Sequence, residues 1–273
     1  MEQGHVPHTI STDIHGFRET TPLEQAGIFA LGDSFTFGYS TPQYKIWTEV
    51  LERRIKRPVY NLGMEGSSPK GQLMLLEYLF QTKGASLNIE HLLWMIWEGN
   101  DLEDSYEVLT PSYPPVVGRR YNTPHRFATK VREASVIRRL IRGDLTIRVL
   151  GTGPPVLVYH SERYGYRVFS ENLIQRASKG QSYVTNHPNL PALNQTFRDM
   201  RSLGEQYGFD VTVLVAPSAP RLYAQYFENV HPEPDEPHFI NYVVDLALGL
   251  GFDAVDLHEP LRPYAGKELL YWR

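Results

Sequence analysis

The sequence predicts an α/β fold, a parallel β-sheet covered by helices on both faces. Two observations carry the prediction. Short apolar runs closed by glycine recur along the chain, and the segments between them hold apolar residues at helical spacing. Such alternation suits a parallel sheet, because neighbouring parallel strands need a crossover long enough to be a helix. Ligand sites in these sheets lie beyond the carboxyl ends of the strands, where the glycine-closed runs converge.

The run 27–31 is closed by Gly32 and reads as the first buried strand. Over 43–56, Trp47, Val50, Leu51 and Ile55 recur at helical spacing. A second strand, 58–62, ends at Gly63. Ser68 is placed to cap a helix running to about Lys83, with Leu73, Leu76, Leu79 and Phe80 on one side. A third strand, 92–97, is again followed by glycine. Later come a helix over 193–207, a strand over 211–215, a helix over 241–250 and a strand over 252–257.

The rhythm breaks between about 102 and 190. This interval holds Pro111, Pro114 and Pro115, a basic helix candidate over 126–142, and a hairpin whose strands, 156–159 and 166–169, flank the turn 163–165. It reads as an insertion or lid over the strand ends, with ordinary peripheral structure as the alternative. The chain is then one domain, 1–273, a length that α/β folds commonly reach in a single domain.

Composition excludes several function classes. The net charge is −4, from 27 basic and 31 acidic residues, and no basic run is interleaved with aromatics, so nucleic acid is not an expected partner. Without cysteine there is no thiol catalysis, no cysteine-held metal and no disulfide. No apolar run approaches the roughly 18 residues of a membrane span. The polar stretch 1–20 lacks the apolar core of a signal peptide, so the reading is a soluble chain. Compartment and oligomeric state stay open, and a longer native N-terminus would be compatible with the cell envelope. No cofactor is called for. The 17 Tyr and 12 Phe would suit a groove for sugars or acyl chains, and would equally fill a core.

Three short motifs follow three successive predicted strands. The first is Gly32-Asp33-Ser34, within the longer Gly-Asp-Ser-Phe-Thr-Phe-Gly of 32–38. A serine in the turn leaving a strand exposes its hydroxyl at the sheet edge and turns its N–H toward a bound acyl oxygen. Alone, such tripeptides are mostly turns or helix caps. The second is Gly63, where a glycine lets a ligand approach the backbone and leaves the N–H free to donate, or is a plain turn residue. The third is Gly99-Asn100-Asp101, whose asparagine amide is a neutral donor suited to a developing oxyanion, or the end of an Asx turn.

Taken together the motifs are more specific. Ser34, Gly63 and Asn100, in that order at consecutive strand ends 29 and 37 residues apart, resemble blocks I to III of the SGNH/GDSL hydrolases. Other stretches resemble bacterial members of that family: His15-Gly16-Phe17-Arg18 before the first strand, residues 213–217, and Arg221-Leu222-Tyr223. The resemblance covers about 16–104 and 193 onward, leaving the interval between uncovered.

The resemblance implies a flavodoxin-like three-layer α/β/α fold. It implies Ser34 as nucleophile, with the Ser34 and Gly63 N–H groups and the Asn100 side chain as the oxyanion hole. The implied activity is hydrolysis of a carboxylic ester through an acyl-enzyme, on a small-molecule or polysaccharide ester or a lipid. O-acyl transfer to a polysaccharide uses the same serine chemistry. A non-catalytic carbohydrate-binding domain is what the pocket becomes without its base.

The family's remaining block, Asp-x-x-His, follows the last strand and is expected beyond Arg273, which makes the chain alone a slow catalyst. A literal match, Asp235-Glu236-Pro237-His238, comes before the last predicted strand in a proline-rich stretch that reads as an exposed loop. His258 follows that strand, with Asp256 two residues before it rather than three. His91, His125, His160 and His187 have no diagnostic spacing, and no residue cluster reads as a metal site.

Overall fold

The structure, a computed structural model, describes residues 10–38, 41–84, 87–103, 157–161, 165–169, 180–223 and 238–265. Strand β1 (Ile28–Gly32) is buried on both faces and passes into a one-turn helix, α1 (Ser34–Phe37). The helix expected over 43–56 is divided. Pro42 opens a 3₁₀ turn (Gln43–Lys45), Ile46 is extended and buried, and α2 starts only at Trp47 (Trp47–Ile55). Then follow β2 (Val59–Gly63), α3 (Pro69–Lys83) and β3 (His91–Trp97). Ser68 does cap α3, its Oγ accepting the Gly71 N–H at 3.2 Å, with Pro69 at the first helical position where its missing donor costs nothing.

Strands β4 (Leu157–Ser161) and β5 (Gly165–Phe169) form the expected antiparallel hairpin, a two-stranded sheet apart from the main one. The rest of the proposed insertion lies mostly outside the described residues, including the basic helix candidate over 126–142. Helices α4 (Gln181–Thr185) and α5 (Leu190–Tyr207) come next. α5 begins three residues earlier than its apolar spacing suggested, because Pro191 fits the first turn. The chain continues through β6 (Asp210–Ala216), α6 (Ala219–Leu222), α7 (His238–Gly249), β7 (Asp253–Asp256) and α8 (His258–Leu261).

The main sheet has the order β2-β1-β3-β6-β7, and every pairing is parallel. Counted among its own strands this is 2-1-3-4-5, the flavodoxin-like order, with its switch point between β1 and β3. Phe29, Leu31, Tyr60, Leu62, Trp94, Ile96, Val213 and Val215 face one core, filled by Leu73, Leu76 and Leu79 of α3, Phe197 and Met200 of α5, and Phe239 and Val243 of α7. On the other face Ile28, Ala30 and Val59 meet Trp47 and Leu51 of α2. Helices on both faces make three layers, as the sequence predicts.

Candidate active site

Because every strand of the main sheet runs the same way, their carboxyl ends share one edge. Register pairs Gly32 with Gly63, so the ends of β1 and β2 are level. Beside them β3 runs on to Trp97, level with Ala216 of β6. Ser34 and Asn100 follow these ends, and Gly63 is the last residue of β2. Ser34 and Asn100 leave β1 and β3, the two strands flanking the switch point, where such sheets open a crevice.

The turn that carries Ser34 is built by its neighbours. The Asp33 carboxylate accepts the Phe35 N–H at 2.9 Å and so caps α1. Ser34, half-buried, is the first helical residue. Gly38 ends the turn at φ 73°, a left-handed conformation that favours glycine, and its N–H returns to the Ser34 carbonyl at 2.9 Å. Burial pushes the Asp33 carboxyl up to about 6, against hydrogen bonds from the Phe35 N–H and from the Ser34 N–H and hydroxyl that favour the anion.

Gly63 is a glycine because α1 lies against it. A Cβ there would overlap the backbone of Thr36 and Phe37, with Phe37 Cα 2.7 Å away. The sequence reading left its N–H free for a ligand, and here a correction is needed. That N–H donates to Asn61 Oδ1 at 2.8 Å, in the side-chain-to-i+2 pattern of an Asx turn.

The Asn100 turn is tied on both sides. Asp101 accepts the Trp97 N–H at 2.7 Å. The carboxylate of Glu98, fully buried, accepts the Ser218 N–H at 2.8 Å and pairs with the buried Arg221 guanidinium. The Phe35 and Trp97 rings meet at 4.5 Å between centroids, which brings the Ser34 turn against the end of β3. Asn100 Oδ1 is buried without a hydrogen-bond partner among the described residues.

No histidine hydrogen-bonds Ser34 among the described residues. His258 opens α8, and Asp256 accepts its backbone N–H at 2.7 Å rather than its ring. Burial holds the His258 imidazole below its usual value, with Asp256 opposing and Arg221 reinforcing that shift. β7 stands three strand spacings from β1, about 14 Å, and the His258 ring that follows it feels the charges of Arg221 and Glu98. Asp235 lies outside the described residues. His238, read as part of an exposed loop, is instead the half-buried first residue of α7. A helix joining parallel strands runs back against them, so His238 belongs to the same edge of the sheet as Ser34.

The Asp33 cap, the Asn61 amide on Gly63 and the Glu98–Arg221 pair were absent from the sequence reading. The first two had a local signal, an Asx residue two before the donor. The ion pair spans 123 residues and had none. Among the described residues no group of three or more His, Asp or Glu is gathered to hold a metal. No helix there is long and apolar enough to cross a membrane.

No protein-family model matches the chain, and no curated protein does. Among solved structures the chain is similar to AlinE4, described as an SGNH-hydrolase family esterase, and to a serine-to-alanine mutant of that esterase. Each is 12% identical with a TM-score of 0.43, over 91% of this chain and 87% or 86% of the other.

Proposed function

We propose that the chain is a serine-dependent ester hydrolase of the SGNH type, with Ser34 as nucleophile. One observation carries the reading: Ser34 and Asn100 leave the two strands that flank the switch point, and the Phe35–Trp97 contact joins their turns. Ser34 Oγ attacks the ester carbonyl while a base takes its proton. The resulting oxyanion is held by the Asn100 amide and by the Ser34 N–H, with the Gly63 N–H contributing where it is shared with Asn61. Collapse breaks the bond to the alcohol, which leaves with the proton, and water then releases the acid by the same steps in reverse roles.

The base is read as the histidine of an Asp-x-x-His pair. The match within this sequence is Asp235–His238, whose histidine opens α7. The substrate class is an acylated carbohydrate or lipid, and acyl transfer to a sugar hydroxyl replaces water by that hydroxyl.

The test is turnover of a small p-nitrophenyl ester by the chain and by its Ser34→Ala, Asn100→Ala and His238→Ala variants. Ser34→Ala abolishes acyl-enzyme formation, and Asn100→Ala slows turnover by roughly 10²–10³ without unfolding the protein. His238→Ala removes turnover if Asp235–His238 is the working pair and leaves it unchanged if the base lies elsewhere. Turnover that survives Ser34→Ala unchanged contradicts the assignment.

A further inference from the structure

We propose that Arg18 and Glu19, adjacent residues from the segment before β1, are positioning residues that clamp the Ser34 turn and the end of β2 in place. The proposal rests on Ser34 as the nucleophile but stands on its own geometry.

A helix of four residues cannot fix itself. It makes few internal hydrogen bonds, its nucleus is unfavourable, and the carbonyls of its last turn are orphaned. α1 also contributes little to the core, with Thr36 its one buried residue. Its orientation must therefore be set by polar contacts, and these are present. The Arg18 guanidinium, fully buried, donates through Nη1 to the Phe37 carbonyl at 3.3 Å and to the Gly38 carbonyl. Nη2 reaches the Thr41 carbonyl and Nε donates to Gln43 Oε1 at 2.9 Å. The group also lies 5.8 Å from the Phe37 ring centroid. A cation at this point faces the negative end of the α1 dipole. Gln43 passes the contact on to Glu49, Nε2 to Oε1 at 2.9 Å. The Glu49 carboxylate opposes the lowering of the Arg18 pKa that burial imposes.

Glu19 reaches the neighbouring strand. One carboxylate oxygen accepts the Thr20 and Thr21 N–H groups at 2.7 and 2.9 Å, and the other accepts the Asn61 N–H at 3.0 Å. Asn61 then distributes the constraint. Its Oδ1 holds the Gly63 N–H at 2.8 Å, and its Nδ2 donates to the Thr36 carbonyl at 2.9 Å and to Thr48 Oγ1 at 3.2 Å. The carbonyls of Thr36, Phe37 and Gly38 are thus all held by two side chains, Asn61 and Arg18. The dipeptide 18–19 fixes both the turn that bears the nucleophile and the direction of the Gly63 N–H.

A lysine at position 18 cannot replace this arrangement, because one ammonium on a flexible stem does not span carbonyls that a planar fork reaches together. The experiment compares the full chain with Arg18→Lys and Glu19→Gln variants. The first readout is amide hydrogen exchange over 34–38, with 69–83 in α3 as the internal reference. Both variants should exchange at least about tenfold faster over 34–38 while α3 is unchanged, a local opening distinct from global unfolding. The second readout is the rate at which a fluorophosphonate labels Ser34. It should fall at least about tenfold in Arg18→Lys with reagent affinity unchanged, as expected when a group is misplaced and binding is not.

Exchange that is unchanged over 34–38, or that rises equally in α3, overturns the clamp. If Arg18→Lys does not fold, Glu19→Gln decides by the same criterion. If the unaltered chain is not labelled at Ser34, the fault lies with the nucleophile or its base rather than with the clamp, which the exchange comparison still decides.

Discussion

At the scale of single residues, the edge of the sheet is set by short side chains that fold back onto the next turn. Asp33, Asn61 and Asp256, at or beside the ends of β1, β2 and β7, each accept the N–H two residues on. Of these, Asp33 carries the largest physical cost, since its carboxyl is buried and raised to about 6. The sign of its effect on stability follows. A carboxyl raised above its unfolded value near 4 holds its proton more tightly in the native state. Its stabilising contribution is therefore complete below about pH 4 and lost as pH rises through about 6. The ceiling is about 3 kcal/mol for a shift near two units. Asn also serves as an N-cap, so Asp33→Asn should keep the turn while flattening this dependence. Urea unfolding of both proteins between pH 4 and 7 checks it; parallel curves would show that Asp33 does not titrate in that range. Ser34, Gly63 and Asn100 could be read from the sequence because each stands in a short motif after an apolar run. The engagement of the Gly63 N–H has its local signal in Asn61, two residues earlier.

At the scale of elements, the sequence pattern located the five main-sheet strands to within one or two residues: β1, buried throughout, leaves an unbroken apolar run, whereas β7, partly exposed, mixes polar and apolar residues. α1 was not legible, since four residues show no period. The break in the helix expected over 43–56 has a visible cause in Pro42, which starts a turn of its own. Contacts between elements distant in the chain are a different matter, and the Glu98–Arg221 pair is the main case. It ties the turn after β3 to α6, with both partners buried. Removing one member of a buried pair leaves an uncompensated charge, so Glu98→Ala should destabilise by about 3–5 kcal/mol. Replacing both residues by apolar ones of similar volume should cost much less than the two single changes summed. Denaturant unfolding of the two single variants and the double variant measures the coupling, and simple additivity would contradict it.

For the molecule as a whole, the order 2-1-3-4-5 brings three local motifs to one edge of the sheet. Strand order is not written in any single segment, and it follows from right-handed crossovers between parallel strands. It places β1 between β2 and β3, and so brings Gly63 and Asn100 to either side of the Ser34 turn. The same order puts His258 after the outer strand, β7. It also marks the difference between what can be read from sequence alone and what requires the fold. The motifs of the proposed nucleophile and its donors lie in local strings, whereas the proposed clamp depends on segments that meet only in space. The most direct measurement is to incubate the chain with a fluorophosphonate, digest it and map the adduct by mass spectrometry. A single adduct on Ser34, missing from the Ser34→Ala variant, is the predicted result. An adduct on another residue, or one that persists in Ser34→Ala, would contradict Ser34 as the nucleophile.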